Sequence, residues 1–259
     1  MSQVAKDHIY SVQSVERTLL IMETLAVCED GIRVKELAEQ LHLHLSTVHR
    51  LVSLLESKGY VEQDPDTKKY FLGLKLLELK GMVTRRLRVV DAAVKEMKSM
   101  VADLGQTSHL AVLSDSEVVY LESFEGGESL ISRAPVGKRV NIHSTALGKV
   151  LTAWLPPEDV YAKLSRREMR KMTPNTIDDP QQFIEHLRLV REQGYASDMQ
   201  EHHAASCCIA APIRNYQGTV VAGISVSVTP SHFNEAMQQR IRSRLLETAH
   251  YISTKLGSR

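Results

Sequence analysis

Three short amphipathic segments followed directly by two strand-like runs occupy the first 75 residues, and this order restricts the fold more than any other feature. Apolar residues recur at helical spacing within each of the three segments. The segments are residues 15–27, 34–41 and 46–58, and the strand-like runs are residues 60–63 and 70–73. A turn rich in Pro and Asp separates the two runs, as in a β-hairpin. Three helices with a short second turn and a hairpin predict a winged helix-turn-helix.

A change of pattern after residue 90 predicts a second domain. Apolar residues at helical spacing after residue 73 indicate a linker helix, whose exposed apolar side would suit a partner chain. Beyond it we expect helices near 92–104, 145–155, 180–193 and 234–256, and strands near 107–114, 117–123, 130–133, 206–213 and 220–228. Antiparallel strands with helices around them predict an α+β sensor domain. The predicted domains are therefore residues 9–73, 74–90 and 91–259.

Length and composition agree with two domains but do not reveal a partner. The chain has 259 residues, enough for two domains. Its formal net charge is +1, so any DNA contact has to come from local patches. The first apolar stretch is too short and interrupted for a signal peptide or a membrane span. Three cysteines, two of them adjacent, make a disulfide framework improbable, and we expect a cytoplasmic protein.

The third segment carries the candidate DNA-reading residues. In a helix-turn-helix, the second helix of the motif places its N-terminal residues nearest the bases. Helical spacing predicts that Leu45 and Val48 face inward, and that Ser46 or its predecessor caps the helix. The outward residues are then Ser46, Thr47, His49 and Arg50. Arginine can bond guanine bidentately and hydroxyls reach bases or phosphates. The alternative is a solvated face of a small helical bundle.

Two lysines lie in the turn between the strand-like runs. Lys68 and Lys69 would meet phosphates if the hairpin is a DNA-contacting wing. The alternative is a charged turn that keeps an edge strand soluble.

Collinear motifs in both halves identify the chain as similar to a known family. The matching stretches are STVHRL at 46–51, GYV at 59–61, Y-x-LG at 70–73, PVG at 135–137, HSTALGKVL at 143–151, GY at 194–195 with Asp198 and Glu201, CIAAP at 208–212 and AGISVS at 222–227. Each is weak alone, but their order over about residues 10–257 is specific. The chain resembles the IclR family of bacterial transcriptional regulators.

The resemblance implies a dimer or tetramer that binds double-stranded operator DNA and a small organic acid or aromatic effector, in a C-terminal domain similar to the GAF fold. It implies a repressor, with an activator of the same architecture as the alternative. Carried over, the anion-facing backbone lies at Ala146 and Leu147. The residues lining the same cavity are Asp198, Ser206, Cys208, Ser225 and Ser227, with Ser129, Ser132 and Val140 at its rim. No cofactor is implied.

The residues themselves make such a pocket reasonable. Ser225 and Ser227 lie two apart on a strand, so their hydroxyls share one face and need partners. Amides at the start of the 145–155 helix would suit a carboxylate. Ser206 stands where the family often has a bulky aliphatic, and Ala146 where it often has Gly. A more polar wall suggests a hydroxylated ligand such as a sugar acid.

A cluster of histidines and cysteines raises two alternative hypotheses, a metal or redox site and a catalytic cysteine. His202, His203, Cys207 and Cys208 fall within seven positions, but strand neighbours point to opposite faces and cannot all bind one metal. A metal- or redox-responsive regulator using His202 and Cys208 remains an alternative. Catalysis by Cys208 would need a base such as His143 or His202. No motif with catalytic spacing appears, so we expect neither an enzyme nor a metal site.

Overall fold

A computed structural model describes residues 12–86, 88–127, 129–130 and 133–258. The chain divides into two compact units, Met1–Arg86 and Leu87–Arg259. The division falls near the end of the segment expected to be a linker. Over the described residues, every helix is too short or too polar to cross a bilayer.

The first unit is a small helical bundle closed by a hairpin. Its elements are α1 (Gln13–Val27), α2 (Val34–Gln40), α3 (Leu45–Ser57), β1 (Val61–Gln63), β2 (Tyr70–Leu72) and α4 (Lys75–Arg86). Strands β1 and β2 are antiparallel, and Ile32 bridges to Tyr70. One buried cluster joins the first three helices to the hairpin, with Leu37 and Val52 fully enclosed. The winged helix-turn-helix expected from the sequence is confirmed.

Local hydrogen bonds shape the turn of the hairpin. The Asp64 carboxylate accepts from the backbone N–H of Thr67 at 2.7 Å and of Asp66 at 3.1 Å. These hydrogen bonds lower the pKa of Asp64 below its ordinary value, and the bond from the Thr67 amide contributes most. Lys68 has a φ of 60°, a left-handed conformation that closes the turn. The Pro/Asp signal in the sequence therefore corresponds to an Asx-type turn.

Helix α4 keeps an apolar side exposed. Leu74, just before the helix, and Leu77 and Met82 within it are each more than 60% exposed. An apolar side on the linker segment was expected from the sequence.

The second unit is a six-stranded antiparallel sheet between two layers of helices. Its elements are α5 (Val89–Leu104), β3 (Thr107–Ser114), β4 (Glu117–Phe124), β5 (Arg139–Asn141), α6 (Ala146–Thr152), α7 (Pro157–Leu164), α8 (Pro180–Gln193), β6 (Ala196–Met199), β7 (Cys207–Arg214), β8 (Val220–Val228) and α9 (Glu235–Lys255). The strand order is β5-β4-β3-β8-β7-β6. Helices α5 and α9 cover one face, while α6, α7 and α8 cover the other. The predicted α+β architecture is confirmed.

Alternation along the strands explains the two layers. Ile209 and Ala211 pack under α5 and α9, whereas Ala210 between them packs under α6 and its neighbours. Successive strand side chains point to opposite faces, so each strand contributes to both cores.

Some elements differ from the expectation. Leu130 and Arg133 are not in a strand, and the residues between them lie outside the described part of the chain. Strands β5 and β6 and helix α7 were not predicted. β5 and β6 have three and four residues, too few for a clear alternation. Helix α7 starts at Pro157, where proline fits the first helical position, so the prolines begin a helix instead of excluding one.

Candidate effector cavity and DNA-facing helix

A cavity of about 450 Å³ lies between the sheet and the start of α6 in the second unit. Of the residues expected to bind an effector, those that line it are Ala146, Leu147, Asp198, Ser206, Cys208, Ser225 and Ser227. They come from α6, from the segment after β6, and from the three strands β6, β7 and β8. Register explains their meeting, because Cys208 is paired with Asp198 on one side and with Ser227 on the other.

The three residues expected at the rim are placed differently. Val140 is buried in the apolar cluster under α6 and does not line the cavity, because its side of β5 faces that core. Ser129 is also absent from the lining; its hydroxyl accepts a hydrogen bond of 2.8 Å from Thr107, next to the cavity-lining strand position His109. Ser132 lies outside the described residues.

Several lining residues were not found by sequence reasoning. They are His109, Tyr120, Leu130, Arg133, Ala134, Pro135, Lys138, Thr145, His202, His203 and Ala205. His109 pairs with Ser225 across β3 and β8, so the two share the cavity face. The period-two pattern of β3 could have placed His109 on one face of its strand. It could not show that β3 neighbours β8.

His109 sits in the sheet as a neutral, oriented ring. Its Nδ1 is 2.8 Å from the hydroxyl oxygen of Ser123, and its ring meets Tyr120 edge-on at 5.2 Å between centroids. Burial, with a smaller contribution from the charge of Lys138, lowers the pKa of His109 to about 4. The ring is therefore uncharged near neutral pH and offers hydrogen bonding to a ligand instead of a charge.

Asp198 is the acidic group of the cavity wall. Only 1% of it is exposed, and its Oδ1 accepts from the N–H of Glu201 at 2.6 Å and of His202 at 3.4 Å. Burial raises the pKa of Asp198 to about 7, and the Glu201 carboxylate adds to the rise. The Glu201 amide and the charge of Lys149 oppose it. The carboxyl is therefore poised to change protonation near neutral pH.

A fully buried lysine ties α6 to the segment that carries Asp198. Lys149 is 0% exposed, and its Nζ donates to Glu201 Oε1 at 2.5 Å and to the Ser197 carbonyl at 2.9 Å. Glu201 in turn positions Asp198 through its backbone N–H. Among the described residues, the other oxygen of Glu201 has no hydrogen-bond partner. The ion pair thus fixes two walls of the cavity relative to each other.

The start of α6 is tightly packed. The hydroxyl of Thr145 accepts from the N–H of Gly148 at 3.0 Å as an N-cap. A Cβ on Gly148 would lie 2.0 Å from the carbonyl oxygen of Ile142, so only glycine fits there. The amides of Ala146 and Leu147 precede the first intrahelical bond and have no partner inside the helix. They belong to the part of α6 that lines the cavity.

The histidines and cysteines of this region pair with hydroxyls and carbonyls. Cys208 Sγ lies 3.2 Å from Ser227 Oγ, His202 Nδ1 lies 3.0 Å from Ser144 Oγ, and His143 Nε2 lies 3.1 Å from the Arg170 carbonyl. Burial raises the pKa of the Cys208 thiol well above its usual range, which keeps it protonated and poorly nucleophilic. Within the described ranges, no group of three or more His, Cys, Asp or Glu side chains is arranged to hold a metal.

Helix α3 presents a polar face at its N-terminal end. Ser46, His49 and Arg50 are exposed, and Thr47 is half-buried. Val48 is buried as expected, but Leu45 is half-exposed, so its expected inward orientation is wrong. The helix starts at Leu45 with His44 as N-cap, and no side chain caps it. Ser46 therefore lies inside the first turn, two residues after the cap position, and its predecessor Leu45 is the first helical residue, so neither caps the helix as expected.

The two lysines of the hairpin turn have different surroundings. Lys68 is exposed, whereas the Lys69 Nζ donates to the Asp30 carbonyl at 3.2 Å. Lys69 therefore secures the hairpin to the turn after α1, and a phosphate would have to share its ammonium with that carbonyl.

Each of the two units matches a known protein-family model. Residues 14–65 match the IclR helix-turn-helix domain, and residues 81–254 match the bacterial transcriptional regulator IclR C-terminal domain. Together these matches span most of the chain.

Curated relatives match over most of their length. The HTH-type transcriptional regulator XynR of Escherichia coli K12 is 32% identical over 246 residues, covering 95% of this chain and 98% of XynR. The HTH-type transcriptional regulator KdgR of Dickeya chrysanthemi is 34% identical over 247 residues, covering 95% of this chain and 81% of KdgR.

Solved structures share the fold. The crystal structure of Thermotoga maritima IclR superimposes with a TM-score of 0.82 at 31% identity, covering 95% of this chain and 100% of that one. An IclR homologue from Microbacterium hydrocarbonoxydans, crystallised with 4-hydroxybenzoate, gives a TM-score of 0.81 at 28% identity, covering 94% and 98% of the two chains. These relatives are regulators and not enzymes, and the chain belongs to the IclR family of bacterial DNA-binding transcriptional regulators.

Proposed function

We propose that the chain is a sequence-specific transcriptional repressor whose operator binding is controlled by a small hydroxylated carboxylate in the cavity of the second unit. The main observation that supports this proposal is the set of residues that line the cavity. Arg133 and Lys138 stand at its mouth, and first-turn amides of α6 reach its wall. Positive charge and unpaired donors together favour an anion.

The rest of the wall favours hydroxyl groups on the ligand. Hydroxyls of Ser206, Ser225, Ser227 and Tyr120 and the neutral ring of His109 line the same space. Each can donate or accept, so a ligand with several hydroxyls would find partners. The volume of about 450 Å³ suits a small organic acid, a sugar acid among them. A relative crystallised with 4-hydroxybenzoate, a hydroxylated carboxylate, supports the same class.

Asp198 would sense the charge of such a ligand. With a pKa of about 7 it is largely protonated at pH 6 and can donate a hydrogen bond to the ligand, whereas at pH 8 it is ionised and repels an anion. We expect the affinity for an anionic effector to fall between pH 6 and pH 8, and the Asp198→Asn variant to lose this dependence.

On DNA, helix α3 would enter the major groove. Ser46, Thr47, His49 and Arg50 would contact the operator, with Lys68 and Lys69 near phosphates of the wing. A homodimer or tetramer would place two such helices on a near-palindromic site. The exposed apolar side of α4 offers a surface for that assembly. Effector binding would then favour one arrangement of the paired helices.

Two experiments test the two halves of the proposal. The first is a thermal-shift screen of small organic acids and sugar acids, since a bound ligand raises the melting temperature. A hit that also stabilises the Ser225→Ala, Ser227→Ala double variant at the same concentration would place the ligand elsewhere. A transcription assay with the hit then separates repressor from activator by the sign of the response.

The second experiment measures operator affinity of the Arg50→Ala variant at matched salt. Loss of a base-reading arginine should weaken specific binding by about 1–3 kcal/mol. Lys58→Ala, at the other end of the same helix, is the matched control. Unchanged affinity in the Arg50 variant would remove this residue from the readout.

A further inference from the structure

Leu45 is a large apolar side chain at the start of the recognition helix that does not pack into the bundle. It is 50% exposed, although it is the first residue of α3. The helix packs through Val48, Leu51, Val52 and Leu55, which form part of the buried cluster of the first unit. Within the described residues, Leu45 is not a member of that cluster or of its partly buried surround. Core packing therefore does not account for a leucine here.

The neighbours of Leu45 are the residues proposed to face DNA. At about 100° per residue, Leu45 and His49 lie on one side of the helix, with Ser46 and Arg50 beside them. All four are exposed. A single apolar group set among a hydroxyl, an imidazole and a guanidinium does not resemble the apolar centre of a protein interface. It matches a surface that is polar apart from one methyl group.

The major groove of DNA is such a surface. Its base edges present donors, acceptors and one apolar group, the C5-methyl of thymine. The N-terminal residues of a recognition helix are those that reach base edges. We propose that Leu45 contacts the C5-methyl of a thymine in the operator and is a specificity-determining residue. The inference rests on the proposed operator binding by α3 and adds a residue and a base to it.

The same helix offers a matched control. Leu54 is 55% exposed, nearly the same as Leu45. It lies nine residues further along, which places it about 13 Å along the axis and on the opposite side of the helix. A Leu54→Ala variant therefore removes an equally exposed leucine from a position that cannot reach the same base pair.

The test uses the full chain and an operator selected from a random duplex library. Each thymine of that operator is replaced singly by deoxyuridine, which lacks only the methyl group. In each half-site we expect one thymine whose replacement lowers the affinity of wild-type protein for the duplex about fourfold. That factor is expected for the loss of one buried methyl-sized group. The Leu45→Ala variant should bind the two duplexes equally. Leu54→Ala and the conservative Leu45→Met should keep the fourfold ratio.

The outcomes separate this inference from the proposed function. If wild-type protein selects an operator but tolerates every deoxyuridine, or if Leu45→Ala keeps the wild-type ratio, the contact proposed for Leu45 is overturned and operator binding stands. If no operator is selected, operator binding itself is refuted, and the contact proposed for Leu45 falls with it.

Discussion

The Asp198 carboxyl should make the second unit less stable as the pH rises through the acidic range. Its pKa is about 7 in the folded chain, against 3.8 for an ordinary aspartate. Between these values the folded unit holds a proton that the unfolded chain has released. The contribution of Asp198 to the free energy of unfolding is therefore fully present below about pH 4. It is lost progressively as the pH rises to about 7. A shift of about three units, at about 1.4 kcal/mol each, gives roughly 4 kcal/mol.

The Asp198→Asn variant isolates this contribution. Asparagine keeps an oxygen for the N–H groups of Glu201 and His202 but cannot ionise. Buried His109 and half-buried His186, whose pKa values are lowered to about 4, add an opposite slope between pH 4 and 6.5. Both proteins share these histidines, so their effect cancels in the difference. The variant should gain about 4 kcal/mol relative to wild type between pH 4 and pH 8.

Urea unfolding followed by tryptophan fluorescence reports the free energy of unfolding of the second unit of the chain. Trp154 is the single tryptophan of the chain and packs in the cluster around α6. An Asp159→Asn variant, at an exposed position in the first turn of α7, should keep the wild-type pH profile. A difference between Asp198→Asn and wild type that stays constant within about 1 kcal/mol across pH 4–8 would refute the reasoning.

Three further substitutions in the second unit are tested by the same unfolding assay. Gly148→Ala should destabilise the unit by about 3 kcal/mol or more, because the new Cβ meets backbone. Gly127→Ala, with open space around it, should change stability by less than about 0.5 kcal/mol. Lys149→Met should cost about 3–5 kcal/mol by leaving the Glu201 carboxylate unpaired, and adding Glu201→Gln should recover part of that loss; no recovery would contradict the ion pair. Asp179→Ala should cost about 1 kcal/mol through the lost cap of α8, and an unchanged free energy of unfolding would show that this cap does not stabilise the unit.

Elements with a long regular pattern could be predicted from the sequence. Strand β3, strand β8 and helix α8 have the expected bounds, because each has eight or more residues and is bounded by turn or capping residues in the sequence. Strand β5 could not be recognised, since its three residues include Arg139 and Asn141 and are held in the sheet by pairing with β4. Tertiary pairing, not local preference, makes it a strand.

In the candidate site too, some residues could be predicted from local spacing and others depend on the tertiary structure. The shared face of Ser225 and Ser227 follows from their spacing alone, and both line the cavity. His109 could not be added, because that requires the order of strands in the sheet. Lys149 reads in sequence as a solvated charge on a short helix, yet it is fully buried. Its partner Glu201 is 52 positions away, and no local pattern connects the two.

The central strand pair of the sheet also determines when this unit can fold during synthesis. Thr107 in β3 pairs with Ser227 in β8, 120 positions later. At about 5–20 residues per second, the ribosome leaves the inner edge of β3 unpaired for roughly 6–24 s. The first unit needs no such wait, because its core lies within residues 21–70. An unpaired apolar edge invites strand exchange between neighbouring nascent chains on one messenger. We therefore expect slower translation between the codons for β3 and β8 to lower the fraction of chains that reach the native state.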